Sequence, residues 1–215
     1  MVAFGYLVVG LAAYLLGSIP TGFLVARTRG VDLRAVGSGN IGATNALRAL
    51  GKTAGVVVLV ADGLKGFVAC TGLCALVVGL LGRVGVPTAE LPTYRLLAGL
   101  AAVLGHNYTC WLRFKGGKGV ATSAGVFAAL APLALLIALA AWLVAFACTR
   151  YVSVGSLAAA VALPTAVWLT QNDLVLAWLT TGLGVLVIVR HHTNIRRLLA
   201  GTEHRIELRR QPPTT

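Results

Sequence analysis

Three short stretches of this chain concentrate the residue types that handle phosphate. The first, Gly37-Ser38-Gly39-Asn40-Ile41-Gly42-Ala43-Thr44-Asn45-Ala46-Leu47-Arg48, alternates glycine with small hydrogen-bonding residues. Glycine lets backbone approach a ligand closely, and successive N–H groups can form a concave anion site. Ser38, Asn40, Thr44 and Asn45 add neutral donors, while Arg48 adds a planar, permanent charge suited to phosphate. Ser38 and Asn40 would also serve as plain helix caps. A simple connector is the competing reading, but it needs no such density of donors.

The second stretch is Gly105-His106-Asn107 followed by Phe114-Lys115-Gly116-Gly117-Lys118-Gly119-Val120-Ala121-Thr122-Ser123. Lys-Gly-Gly-Lys-Gly at the start of an apolar helix places ammonium groups and unpaired N–H donors at a helix N-terminus, which favours anions. It lacks the GxxxxGK[ST] spacing of a P-loop, and a purely topogenic basic loop is its alternative. The third is Arg190-His191-His192-Thr193-Asn194-Ile195-Arg196-Arg197, then Gly201-Thr202-Glu203. It could bind phosphate, move protons or mark a membrane boundary, with Glu203 as a structural ion-pair partner. No acidic residue or third histidine sits at helical ligand spacing, so neither metal nor cofactor is expected.

The elements that carry these loops follow from composition. Of 215 residues, 58% are hydrophobic and 11% charged, against about 25% charged in a soluble domain. Such a chain cannot cover a globule with polar groups, and its long apolar runs predict an all-α integral membrane protein. The 18 Lys and Arg against 6 Asp and Glu cluster in three segments, 27–52, 113–118 and 190–210, a pattern of loop charge and not a nucleic-acid footprint. Cys70, Cys74, Cys110 and Cys148 all lie in apolar stretches and read as small packing residues.

A span needs roughly 20 apolar residues. Val2–Ala26, Ala54–Leu81, Tyr94–Leu112, Val152–Thr170 and Leu174–Val189 qualify, the first as a retained span and not a cleaved signal. Val120–Cys148 contains Ala131-Pro132 and fits one tilted helix or two short ones. Basic loops face the cytoplasm, and only two passes of 120–148 put all three basic clusters on one side. The expectation is seven helices, N-terminus outside and C-terminus cytoplasmic, in one membrane domain, 1–215, with a polar tail over 205–215. Arg150 and Arg205 must then share a face. Asp62 and Lys65, three residues apart inside the second span, are either a mutual ion pair that locks the bundle or the lining of a polar cavity.

GSGNIGATNALRALG, GHNYTCWLRFKGGKGVATSAG and RHHTNIRRLLAGTE, in that order, resemble the three motifs of the bacterial acyl-phosphate:glycerol-3-phosphate acyltransferases. The resemblance extends over nearly the whole chain, including Ser18-Ile19-Pro20-Thr21 and the Asp62-to-Lys65 stretch. It implies a seven-helix inner-membrane enzyme, active at the cytoplasmic face, that moves a fatty acyl group from acyl phosphate to the sn-1 hydroxyl of glycerol 3-phosphate. Lysophosphatidic acid and phosphate would be the products of this first step of phospholipid synthesis. By position, Ser38, Asn40 and Arg48 match the first functional motif, with Gly39 between them. Gly116, Gly117 and Gly119, with Lys118 as cation, match the glycerol-phosphate region. His191 and Asn194 match the active-site pair, and Glu203 a residue of structural integrity. Expected partners are the two substrates and membrane lipid, with no nucleic acid and a monomeric state. The His-x4-Asp signature of other glycerolipid acyltransferases is absent: Trp111, Arg196, Arg197 and Arg209 stand where its Asp would be. A small transporter of phosphate or organic anions is the rival; it would need functional polarity on both faces, and the remaining connectors are short and bland.

Overall fold

The computed structural model describes residues 1–206, and all regular elements among them are helical. Residues 207–215, most of the expected polar tail, lie outside the described residues. Among the described residues four helical runs are long and apolar enough to cross a membrane, Val2–Arg27, Lys52–Gly82, Pro132–Thr149 and Val152–Thr170, and the bent pair Leu174–Arg190 with His192–Leu199 makes a fifth if it is one span. The chain packs as two compact units, Met1–Pro132 and Leu133–Thr215.

In the first unit, the expected Val2–Ala26 span is two helices, α1 (Val2–Ser18) and α2 (Thr21–Arg27). Pro20 has no N–H and its ring excludes a continuous helix, so the chain breaks at Ile19-Pro20. The carbonyls freed there need donors. Thr109 Oγ1 donates to the Ser18 carbonyl, and Lys65 Nζ donates to the Ile19 carbonyl at 3.0 Å. Lys65 also pairs with Asp62 at 2.8 Å, and the same carboxylate oxygen accepts from Thr21 Oγ1 at 2.9 Å. His106 Nδ1 stands 3.6 Å from that oxygen. Asp62, Lys65 and His106 are all buried. Asp62 and Lys65 thus form a mutual ion pair, and the pair ties the broken first span to two other helices.

The short α3 (Ala43–Leu50) packs on the start of α4 (Lys52–Val68). A π-helical turn over Ala69–Leu73 joins α4 to α5 (Cys74–Gly82). Such a turn loosens the backbone ladder, and Arg95 Nε takes the Cys70 carbonyl at 2.9 Å. Arg95 lies on α6 (Leu91–Asn107), which ends five residues before the expected Leu112; Cys110–Leu112 form a separate 3-10 turn. Next comes α7 (Val120–Leu130).

Close contacts give the helix directions. Gly5 lies against Tyr94 and Gly17 against Ala102, so α1 and α6 run parallel. Gly63 lies nearest Ala121, and seven residues later Cys70 shares Gly99 with Val126 and Leu130, so α4 and α7 also run parallel. Cys70 faces both Arg95 and Gly99 while Asp62 faces His106, so the two pairs oppose each other. Small residues at the crossings let backbones touch, as membrane helices require in the absence of a hydrophobic drive. The consequence is that segments 27–52 and 105–120 lie at one end of this unit.

In the second unit, α8 (Pro132–Thr149), α9 (Val152–Thr170), α10 (Leu174–Arg190) and α11 (His192–Leu199) follow. The helix break within 120–148 falls at Ala131, beside the expected Pro132, and its halves are unequal at 11 and 18 residues. Trp142 of α8 covers Gly155 of α9, and Trp168 of α9 bonds Thr181 of α10 at 3.1 Å while Gly184 meets Ala160. Successive helices are thus antiparallel. Ile206 N–H donates to the Arg150 carbonyl at 3.0 Å and Arg205 lies 5.0 Å over the Tyr151 ring. Residues 205 and 206 are docked and not free tail, and Arg150 and Arg205 lie together, as the antiparallel α9 and α10 between them require for either number of passes over 120–148.

Lys65→Met keeps the aliphatic stem but leaves Asp62 buried without its cation. The expected cost is about 3 kcal/mol, read as a lowered unfolding temperature of detergent-purified protein; an unchanged temperature would show that the pair does not hold the first unit.

Candidate active site

The Lys115–Gly119 loop is folded onto the last two residues of α6. Gly116 N–H donates to the Asn107 carbonyl at 3.1 Å and Gly117 N–H to the His106 carbonyl at 3.0 Å. A Cβ at Gly116 would strike the His106 carbonyl, one at Gly117 the His106 imidazole, and one at Gly119 would lie 2.7 Å from Asn107 Oδ1. Gly119 also has φ +81, which favours glycine on backbone grounds. The three glycines are therefore required by close packing against α6, in addition to any approach of substrate. Gly117 and Gly119 point inward and are buried, while Lys118 between them is partly exposed. Lys118 is thus carried immediately before α7, whose first N–H groups add positive potential.

The first motif is knotted around a residue that sequence reading gave only a donor's part. Asn45 is buried on α3, and its Nδ2 donates to the carbonyls of Leu33, Val36 and Asn40 at 3.0, 3.1 and 2.8 Å. Its Oδ1 accepts the Ser38 N–H at 3.0 Å. Gly39 N–H is bound to the Val36 carbonyl and Gly42 N–H to Asn40 Oδ1. The backbone donors expected to form an anion nest at Ser38, Gly39 and Gly42 are thus spent inside the loop. What it presents is side chains: Ser38, half-buried between Gly37 and Gly39 at φ +57 and +68, and Arg48 one turn beyond Asn45. Asn40 caps the turn at Gly42, the plain role that its residue type allowed.

In the second unit, His191 sits at the junction of α10 and α11, where the axis bends by 54°. Its Nδ1 lies 2.7 Å from the Val187 carbonyl. A carbonyl only accepts, so Nδ1 carries hydrogen and the neutral ring has its lone pair on Nε2. Asn194, buried one turn later, donates Nδ2 to Glu203 Oε1 at 2.7 Å. Glu203 also accepts from Ser153 Oγ at 2.9 Å and from Arg197 Nε at 2.7 Å. Burial alone raises the Glu203 carboxyl, but the bonds from Arg197, Asn194 and Ser153 and the Arg197 charge outweigh it and hold the group below its ordinary value. Because the carboxylate only accepts, Asn194 must direct Nδ2 toward it and Oδ1 elsewhere. Ser153 had no signal in the sequence, since its partner is 50 residues away.

Comparison with known proteins bears on these motifs directly. A family model described as glycerol-3-phosphate acyltransferase matches residues 7–201. The glycerol-3-phosphate acyltransferase of Geobacter sulfurreducens is 49% identical over 94% of this chain and 97% of its own length. That of Synechococcus sp. is 45% identical over 93% of each. Among solved structures, the glycerol 3-phosphate form of PlsY (YgiH), an integral membrane glycerol 3-phosphate acyltransferase, superposes with TM-score 0.82 at 41% identity, covering 94% of this chain and 96% of that one. Its lysophosphatidic acid form gives 0.79 at 40% identity, covering 94% and 95%.

Glu203→Gln turns an accept-only group into one with its own N–H pair facing three donors. It should cost about 2 kcal/mol in thermal or denaturant unfolding. Since folding depresses the Glu203 carboxyl, its contribution is complete above the ordinary glutamate value and is lost as pH falls through the depressed one. The substituted protein should lack that part of the acid sensitivity; equal acid sensitivity in both would remove the assignment.

Proposed function

Because the chain belongs to the glycerol-3-phosphate acyltransferase family, we propose that it transfers a fatty acyl group from acyl phosphate to the sn-1 hydroxyl of glycerol 3-phosphate. The hydroxyl oxygen attacks the acyl carbon, the bond from that carbon to the phosphate oxygen breaks, and inorganic phosphate leaves. The ester product is lysophosphatidic acid, made without a cofactor. An acyl phosphate is a mixed anhydride with a good leaving group, so alignment of the reactants does much of the work, on the order of 7–11 kcal/mol of barrier when geometry is good. Lys118, Arg48 and the donors at the start of α7 neutralise phosphate charge, and Ser38, Gly39, Asn40, Gly116, Gly117 and Gly119 shape the site.

The observation that carries this reading is the forced orientation of His191 and Asn194. Their bonds to the Val187 carbonyl and to Glu203 turn a lone pair of each, Nε2 and Oδ1, toward other partners. Acceptors of this kind take hydrogen from a polyol hydroxyl, whereas an anion carrier would present donors. Transfer is direct, with no acylated protein side chain, and the hydroxyl proton passes to His191 Nε2 or to a phosphate oxygen of the substrate.

The membrane arrangement completes the proposal. The seven apolar helices α1–α2, α4–α5, α6, α7, α8, α9 and α10 form one membrane domain, N-terminus outside and C-terminus cytoplasmic. The reaction runs at the cytoplasmic face of the inner membrane, in a monomer that draws its acyl donor from the lipid phase. Each unit gathers its basic segments at one end, which the positive-inside rule assigns to the cytoplasm.

Purified protein given palmitoyl phosphate and glycerol 3-phosphate should release lysophosphatidic acid and phosphate in equal amounts. His191→Gln should lower turnover by about 10²-fold or more. Near-normal turnover in that variant would remove His191 as proton acceptor. An acyl-Ser38 species detected by mass spectrometry would overturn direct transfer, and a protein that forms no product but passes phosphate across liposomes would be the transporter.

A further inference from the structure

Asp62 is one ring away from the Gly116–Lys118 loop. Its Oδ1 is fixed from two sides by Thr21 and Lys65, and on a third side it faces His106 Nδ1 at 3.6 Å. The opposite edge of that imidazole, at Nε2, occupies the space that a Cβ of Gly117 would take. The His106 carbonyl meanwhile holds the Gly117 N–H at 3.0 Å. His106 thus meets the loop with both its backbone and its ring, and the ring is oriented by a carboxylate on a different helix.

Gly117 makes this contact readable. Its φ is not positive, unlike that of Gly119, so its backbone does not require glycine. The three atoms nearest to a Cβ placed there all belong to the His106 imidazole, whereas a Cβ at Gly116 meets backbone. Whatever makes alanine unfavourable at 117 is the position of one side chain, and the Asp62 carboxylate stands 3.6 Å from the other edge of its ring.

We propose that Asp62, acting through the His106 imidazole, is a positioning residue that sets Gly117 and with it Lys118 for the phosphate of glycerol 3-phosphate. This rests on the substrate assignment made above. Asp62 touches no substrate. Its carboxylate fixes the ring, the ring fixes the depth of the loop, and the depth fixes where the Lys118 ammonium stands. A displacement of the loop by about 1 Å is enough to lose a large part of an alignment-dependent rate.

The test is a double-substitution cycle in steady-state kinetics with both substrates varied, on full-length detergent-purified protein. His106→Ala leaves the Asp62–Lys65 pair intact and removes the ring. Gly117→Ala and His106→Ala should each raise KM for glycerol 3-phosphate about tenfold, leave KM for acyl phosphate within about twofold, and in combination be no worse than His106→Ala alone. Asp62→Asn should reproduce the His106→Ala split between the two substrates. Should it fail to accumulate, Asp62→Asn combined with Lys65→Met, which removes both charges, takes its place. If the effects of His106→Ala and Gly117→Ala multiply, or both KM values rise together, or kcat alone falls, the positioning role is wrong. A wild-type protein that makes no lysophosphatidic acid would instead remove the functional reading, and this substrate role with it.

Discussion

A helix broken inside a membrane must find partners for the carbonyls that the break releases, since lipid offers none. That requirement organises the first unit. Pro20 opens the first span, and the Ser18 and Ile19 carbonyls are met by Thr109 and Lys65. Lys65 then needs an anion, which is Asp62, and Asp62 faces His106. Each polar group in the chain of contacts is costly alone and tolerable in company. The same logic explains Arg95, whose guanidinium takes a carbonyl at the π-helical turn. The rare charges of these spans are thus answers to backbone irregularities.

The loops at that end inherit their shape from the pairing. The end of α6 is held by Ser18, Thr109 and Asp62, and the glycine-rich loop is folded on it. Glycine appears at 116, 117 and 119 because His106 and Asn107 occupy the space a side chain would take. In the first motif a buried Asn45 does corresponding work with three carbonyls and one N–H. The order of these loops is built from side-chain amides, an imidazole and backbone carbonyls.

Composition was enough to reveal a helical membrane protein, and loop charge was enough to argue that 120–148 is two helices. The break at Ala131 agrees with that argument, whereas the meeting of Arg150 with residues 205 and 206 follows from α9 and α10 alone. Asp62 with Lys65 was legible as a pair because three residues separate the two on one helical face. What escaped was everything that depends on contacts between distant segments. Ser153 is an ordinary serine until Glu203 reaches it, and His106 is a lone histidine until the loop after residue 114 folds back. The end of α6 at Asn107 was also missed, because Tyr108 to Leu112 is as apolar as the helix before it. A connector's hydrogen bonds cannot be read from its composition, which is also why a backbone nest was expected where Asn45 had already claimed the N–H of Ser38.

The two units divide their chemistry by hydrogen-bond polarity. The first carries cations and the start of α7, all donors, while the amide oxygen of Asn45 is consumed inside its loop. The second fixes His191 and Asn194 by their donor atoms, so that Nε2 and Oδ1 are what each can turn toward a substrate. Under the proposed reaction these are the two needs: donors for phosphate oxygens that carry charge throughout, and an acceptor for the single proton that must leave the hydroxyl. Glu203 stays ionised below the ordinary glutamate value because Arg197, Asn194 and Ser153 all donate to it. A protonated Glu203 could itself donate, and the orientation of Asn194 would no longer be forced. The charge on one buried carboxylate therefore fixes the orientation of a neighbouring amide.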